Sequence, residues 1–441
     1  MSNNGTANTR YSIISCNLEA VQQMGGKNIQ VARHSGIIFA DLTETEANNL
    51  RNSGCIVELV EKVKTDVIAP PEPIPISLQP LVTPVSVLEI TGFEKLRALT
   101  YPPLYGKGMK VAIIDTGIRE THEQLAGRVV YSRNYTAAPM RDGYSHGTGT
   151  SSILAAVAPE CSILNLKVMD DKGEGTTEAV VLAIEDCIDL LDTQPEIAPS
   201  LINMSLGTED TGDPFDVLRV VCRAAIARGL WLNAAAGNSG PYGGTVMSPA
   251  CERYVLATGS GILIPRDSTF NFEVSGFSSR GPTREGLVKP DAIFFGENVQ
   301  MASSESDDAV TAKSGTSFAT SFTSGIAVLL QQGLMLNDID ARELFLKYGE
   351  VAQAAEFTTK SLQMQQLIDQ YLQRVTIKPL GVSKGKDNNF GYGVPFGDLV
   401  AQVASGEPAA MDLSALIGGV MVIGMIGMMM KTATVGGNGK R

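Results

Sequence analysis

The sequence predicts an α/β protein whose main domain is a doubly wound, mostly parallel sheet with flanking helices, preceded by a small α+β unit. Three observations predict it. The run Lys110-Val111-Ala112-Ile113-Ile114 is continuous, apolar and β-branched, as in a strand buried on both faces of a parallel sheet, and it ends in Asp115 and Gly117. Leu230 to Ala236 is a second apolar strand, and it runs into a glycine-flanked polar loop. Ser314-Gly315-Thr316-Ser317-Phe318-Ala319-Thr320 then opens a long apolar stretch from Ser321 to Gln332, which reads as a helix beginning on a serine.

Length and composition bound the rest. A chain of 441 residues, 44% hydrophobic and 19% charged, can bury a large core and still carry small appendages. The net charge of −12 argues against nucleic acid as a partner, because phosphate binding needs a basic face and none stands out. Cys16, Cys55, Cys161, Cys187, Cys222 and Cys251 form no Cys-x-x-Cys pair, which disfavours a zinc site; isolated buried thiols are expected.

Residues 1–9 are polar, and no basic, then apolar, then small-residue secretory leader is visible in them. Residues 11–63 read as the small unit. Tyr11 to Cys16, Gly36 to Asp41 and Cys55 to Val60 are strand-like, Thr43-Glu44-Thr45-Glu46 fits a capping box, and Gly54 is placed to end the helix it begins. His34 falls here as an ordinary loop or strand residue. From Ala69 to Pro84, six prolines favour extended chain and mark a linker. Val85 to Leu99 reads as one short amphipathic helix, and Tyr105 to Met109 as a turn into the strand that ends at Asp115.

That carboxylate sits at a strand's carboxyl end, the edge of an open α/β sheet where ligands and catalytic groups collect. Asp142-Gly143-Tyr144-Ser145-His146-Gly147-Thr148-Gly149 leads into a candidate helix. The chain has three histidines, and His146 is the one flanked by glycine at a helix start. His122 lies in a charged, surface-like run and is assigned a structural or solvated role. A base must be oriented by a carboxylate and must reach a hydroxyl; Asp115, His146 and Ser317 can supply the three parts.

Taken together these stretches resemble the subtilisin-like serine proteases (subtilases, peptidase S8). The matching segments are Val111 to Gly117, Ser145-His146-Gly147-Thr148, Asn203 to Gly207, Ala234 to Gly240, Phe277 to Thr283, Lys289-Pro290-Asp291 and Gly315 to Thr320, in order between residues 105 and 400. The chain order Asp, His, Ser is the one described for subtilisin itself.

The resemblance implies a serine endopeptidase acting through an acyl-enzyme. Ser317 would be the nucleophile, His146 the base, Asp115 its orienting carboxylate and Asn238 an oxyanion donor. Ser205, Leu206 and Gly207 match one substrate-binding edge, and Gly173, Glu174 and Gly175 the opposite one. Met247 falls near the expected pocket floor and points to small residues before the cut. No cofactor is required for this chemistry. Structural calcium is expected for many relatives, but no compact acidic run locates a site. Two departures stand out: Gly149, Thr150, Ser151 and Ser152 replace a second histidine and small apolar residues, and Ser321 stands near the usual proline.

The resemblance also assigns domains. Residues 1–66 look like a propeptide that serves as intramolecular inhibitor, and 67–87 is a Pro-rich linker, with processing expected between Val63 and Val87. Residues 88–404 form the catalytic domain, and 405–441 a hinge and hydrophobic tail. Leu413 to Met430 runs 18 residues without a charge, enough to be a candidate membrane anchor at about 1.5 Å per residue. Membrane association through this tail is therefore favoured, and its orientation is unresolved. Protein or peptide substrates are the expected partners. The alternative function is a catalytically silent, membrane-tethered peptide-binding or scaffolding member.

Overall fold

The computed structural model of the protein describes residues 7–65, 82–99, 102–266, 269–338, 359–379 and 381–404, with single positions at 340, 342 and 346. Most of the proline-rich linker, and all of the 413–430 run proposed as an anchor, lie outside the described residues. Among the described residues no helix is long and apolar enough to cross a membrane.

The N-terminal unit contains β1 (Thr9–Ile14), α1 (Leu18–Gln23), β2 (Lys27–Ala32), β3 (Ile37–Leu42), α2 (Glu44–Asn52), β4 (Ile56–Leu59) and β5 (Lys62–Lys64). Its four-stranded antiparallel sheet has the order β2-β3-β1-β4. The capping box is formed: Glu46 N donates to Thr43 Oγ1 at 3.3 Å and Thr43 N to Glu46 Oε2 at 2.7 Å. Gly54 follows the helix with φ +95°, the left-handed conformation glycine tolerates best.

Side-chain alternation gives this sheet two apolar faces. Ile38, Ala40 and Leu42 pack with Val21, Ala47 and Leu50 inside the unit. Ile37 and Phe39 point the other way and join the core of the large domain. Polar contacts frame the same junction. Arg10 Nε reaches Glu178 at 2.9 Å, His34 Nε2 lies 2.8 Å from Asp189, and Glu185 accepts from the backbone amides of His34 and Ser35 at 2.8 Å each. His34 is thus a junction residue rather than an ordinary loop position.

The cysteine expectation needs correction at two positions. Cys16 and Cys55 are joined in a disulfide with their Cα atoms 5.1 Å apart. They flank β1 and β4, whose antiparallel pairing sets Ile14 opposite Ile56 and brings the two thiols together. The other four cysteines are free and buried.

After the linker come α3 (Pro84–Ile90) and α4 (Phe93–Leu99), two short helices broken at Thr91–Gly92 where one was expected. The large domain then runs β6 (Lys110–Asp115), β7 (Val129–Asn134), α5 (His146–Val157), β8 (Ser162–Lys167), β9 (Glu174–Thr176), α6 (Thr177–Thr193), β10 (Leu201–Met204), α7 (Val217–Ala227) and β11 (Trp231–Ala235). It continues with β12 (Leu256–Arg266), β13 (Thr269–Val274), β14 (Ala292–Phe295), β15 (Val299–Ala302), β16 (Val310–Lys313), α8 (Thr316–Leu336), α9 (Thr359–Val375), β17 (Thr376–Ile377), β18 (Val394–Pro395) and α10 (Gly397–Ala404).

The central sheet has the order β13-β12-β11-β10-β6-β8-β7, with β14 also on β12. All its pairings are parallel except β12 with β13. Strand β6 is buried on both faces: Val111 and Ile113 join the cluster containing α5 and α8, while Ala112 and Ile114 join that of α6 and α7. The chain winds to one side of β6 through β8 and to the other through β10, so the switch point falls between β6 and β10.

Helix α8 is buried from Thr316 to Leu334, as expected of a helix running through a core. A polar lock sets its position. Asn233 Nδ2 donates to Thr320 O, Thr323 Oγ1 and Ser324 Oγ at 3.1, 2.8 and 2.9 Å, and Ser324 Oγ donates to Asn203 Oδ1 at 2.8 Å. Every one of these donors has its partner inside the core, so the lock fixes rotation and register at no loss of hydrogen bonding.

Candidate active site

Asp115 ends β6, Ser205 follows β10 and Asn238 follows β11, so three of the expected residues lie at the carboxyl edge of adjacent parallel strands. His146 and Ser317 come from helix starts: His146 is the first residue of α5, Ser317 the second of α8. His146 is presented by Ser145, whose φ of +64° turns the chain sharply into the helix. The approach to β6 demands glycine at the next position, since a Cβ on Gly147 would sit 2.1 Å from Gly117 O.

His146 Nδ1 lies 2.8 and 3.0 Å from the two Asp115 carboxylate oxygens, with both side chains fully buried. A carboxylate only accepts, so Nδ1 carries the proton and Nε2 presents a lone pair. Asp115 also accepts from Thr116 N at 2.7 Å and Thr150 Oγ1 at 3.3 Å. Ser317 Oγ donates to Ser205 O at 3.4 Å, and His146 Nε2 is buried without a hydrogen-bond partner among the described residues. The serine–histidine hydrogen bond is therefore not made in this state. The Phe318 ring packs against the imidazole, with centroids 5.6 Å apart.

Asn238 Oδ1 accepts from Thr316 N and Thr316 Oγ1, both at 2.9 Å. Two donors on one oxygen fix which half of the amide is which: Oδ1 faces Thr316, and Nδ2 lies 3.6 Å from where a Cβ on Gly315 would stand. Gly315, the residue before the first turn of α8, has an extended φ of 164° that any residue can adopt.

One organising residue was missed in the sequence. Asp142 is buried and accepts from Thr116 Oγ1, Tyr144 N, Ser145 N, Thr148 N and Thr148 Oγ1, at 2.6–3.0 Å. It ties the residue after Asp115 to the turn that carries His146. Its position four residues before His146, ahead of Gly143, was the available signal, since Asp side chains commonly close such turns. Lys167, also buried, donates to Thr116 O and Arg141 O. Burial pushes its ammonium pKa down, opposed by Asp142, Asp171 and Asp115.

The departures from the family pattern are accommodated. A Cβ on Gly149 would lie 2.3 Å from Met301 Sδ, so Met301 takes the space where a side chain would stand. Ser152 Oγ donates to Gly149 O at 2.8 Å and accepts from Ala302 N at 3.0 Å, and Ser321 Oγ donates to Ser317 O at 3.1 Å. His122 is buried rather than solvated, 2.9 Å from Ala309 O through Nε2.

The two expected substrate edges face a common channel, and β5 of the N-terminal unit lies in it. Lys62, Val63 and Lys64 pair antiparallel with Thr176, Gly175 and Glu174, and Lys64 bridges Gly207 on the other side. Met247 is beside Gly207 and Gly237.

The peptidase S8 model, described as the subtilase family, matches residues 106–393, more than half of the chain. The chain belongs to the subtilase family. This subtilase is 33% identical over 279 residues to the serine protease AprX of Bacillus subtilis (strain 168), an alignment covering 56% of this chain and 62% of AprX. It is 27% identical over 267 residues to the subtilase-type proteinase psp3 of Schizosaccharomyces pombe, covering 58% of this chain and 55% of that relative. The chain thus spans less than two thirds of the length of either. In fold it is similar to fervidolysin from Fervidobacterium pennivorans, described as a keratinolytic enzyme related to subtilisin, with a TM-score of 0.65 at 16% identity over 93% of this chain and 63% of that one.

Calcium, expected for many relatives, has no assigned place in this subtilase. Among the described residues no group of three or more His, Cys, Asp or Glu side chains is placed to hold a metal ion.

Proposed function

We propose that this subtilase is a serine endopeptidase, and the observation that carries the proposal is the buried Asp115–His146 pair beside the N-terminal serine of α8. Asp115 holds the imidazole with its lone pair outward at Nε2. Ser317 Oγ leaves Ser205 O, gives its proton to Nε2 and attacks the scissile carbonyl carbon; the imidazolium then protonates the leaving amine. Asn238 Nδ2 and the Ser317 N–H, in the first turn of α8, stabilise the oxyanion. Water repeats the sequence on the acyl-enzyme.

Substrate would enter as a strand between Gly173–Gly175 and Ser205–Gly207, held mainly through its backbone, which favours broad specificity. The same two edges already hold β5. That occupancy, with the apolar junction of Ile37 and Phe39, supports reading residues 1–66 as an intramolecular inhibitor removed by the enzyme's own cleavage. The uncharged run 413–430 supports a separate proposal of membrane attachment, tested by fractionation of cells expressing the full chain.

The experiment is hydrolysis of a fluorogenic protein substrate by matured enzyme beside Ser317→Ala. Activity lost in the variant is expected; activity equal in both would overturn the assignment.

A further inference from the structure

The acyl-transfer steps leave a buried cation beside the catalytic pair unused. Lys167 ends β8, and in the parallel pairing of β6 with β8 its register partner is Asp115. Alternation puts both residues on the face that carries α5 and α8, since Val111, Ile113 and Ile163 join that cluster while Leu164 and Leu166 join the other. The ammonium and the carboxylate therefore leave neighbouring strands on the same side, where His146 begins α5.

Lys167 is fully buried. Its Nζ donates to Thr116 O at 2.5 Å and to Arg141 O at 3.1 Å, and Asp171 Oδ1 lies 3.7 Å away. Three acceptors thus surround a group whose charged form carries three N–H donors. The two carbonyls belong to the segments that carry the pair. Thr116 follows Asp115 and donates to its carboxylate through N at 2.7 Å, and Arg141 precedes Asp142, which holds the His146 turn. Two carbonyls alone do not call for a cation, because a neutral amide would serve them, and burying an ammonium is costly.

The charges about Lys167 come from three elements: Asp142 in the turn before α5, Asp115 on β6, and Asp170 and Asp171 after β8. Burial pushes its ammonium down, and these carboxylates oppose that effect. A further ammonium, Lys313 Nζ, lies 3.4 Å from Tyr144 O and interacts with Asp142, Asp115 and Glu305.

Resting on the proteolytic reading above, we propose that Lys167 is a positioning residue that sets the lower pH limit of the reaction. Its buried charge opposes a second cation at His146, so the imidazole stays neutral, and able to take the Ser317 proton, at lower pH than the Asp115 carboxylate alone would leave it. A carboxylate on Nδ1 favours the imidazolium, and the ammonium on the same side of the sheet offsets that bias. The bonds to Thr116 O and Arg141 O hold the cation in place, and burial of both side chains leaves its field little screened by water or salt.

The test is kcat/KM on a fluorogenic peptide between about pH 5 and pH 9 for the parent, Lys167→Met and Asp171→Asn, with active sites counted by a fluorophosphonate. The acid limb of this profile reports the base of the free enzyme. Lys167→Met keeps the stem and removes the charge, so the limb should move up by about half a pH unit, about a threefold loss there beyond any change in the plateau. Asp171→Asn removes a counter-charge, and the limb should move down. A lowered plateau with an unmoved limb in Lys167→Met would show a structural clamp only and overturn the proposal. If Lys167→Met does not fold, Asp171→Asn decides, and an unmoved limb there overturns it. A parent that neither labels nor cuts overturns the proteolytic reading instead.

Discussion

Asn238 and Thr316 are joined twice, with Asn238 Oδ1 accepting from the amide and from the hydroxyl of Thr316 at 2.9 Å each. The residue before the nucleophile thereby aims the proposed oxyanion donor. Asn238→Ala should lower kcat about 10²–10³-fold with little change in KM, a magnitude that comes from subtilisin, a member of the same family. Thr316→Val keeps the amide bond and loses the hydroxyl, and about tenfold of kcat should go with it. Steady-state kinetics on a peptide substrate separate kcat from KM; a change confined to KM would place Asn238 in ground-state binding instead.

Asp142 holds five donors that have no other acceptor among these contacts. Removing the carboxylate strands buried N–H and O–H groups, so Asp142→Ala should cost about 2–4 kcal/mol of stability and lower kcat through a displaced His146. Thermal melting of Ser317→Ala with and without the second change measures the first effect. An unchanged melting temperature would show that the turn is held by other contacts.

Glu58 gives the N-terminal unit a pH dependence. Burial, then the neighbouring Asp213, with Asp216 and Glu61 further off, pushes its carboxyl up to about 7. Below the ordinary carboxylate range of about 4.3 the group is protonated folded or unfolded, and nothing is lost. As pH rises from there towards 7 the unfolded chain releases the proton while the folded one keeps it, so stability falls; above 7 the loss is complete. In a Ser317→Ala chain, Glu58→Gln should melt with the parent near pH 4 and above it at pH 8. Parallel curves across that range would contradict the shift.

What the sequence revealed and what it hid divides along range. Strand β6 was legible because burial on both faces leaves no polar position from Val111 to Ile114. The residues of the site were legible because each sits where a strand or helix ends, in a motif only a few residues long. Edge strand β2 was not, because its alternation is confined to Ile29 and Val31, and Lys27 to Val31 is largely exposed. Nor was the break between α3 and α4, since apolar spacing continues across Thr91–Gly92. The Cys16–Cys55 bridge depends on the pairing of β1 with β4, and the seating of β5 on a partner more than a hundred residues away. Asp142 makes its contacts through a turn that local pattern leaves undetermined.

Labelling with a fluorophosphonate probe tests the central claim most directly, because a serine reacts when it is activated by a base beside an oxyanion site. Chain freed of residues 1–66 should label at Ser317, and the label should be lost in Ser317→Ala and fall steeply in His146→Ala. Folded, freed chain that does not label, or that labels equally when His146 is removed, would contradict the assignment of Asp115, His146 and Ser317 as a working catalytic unit.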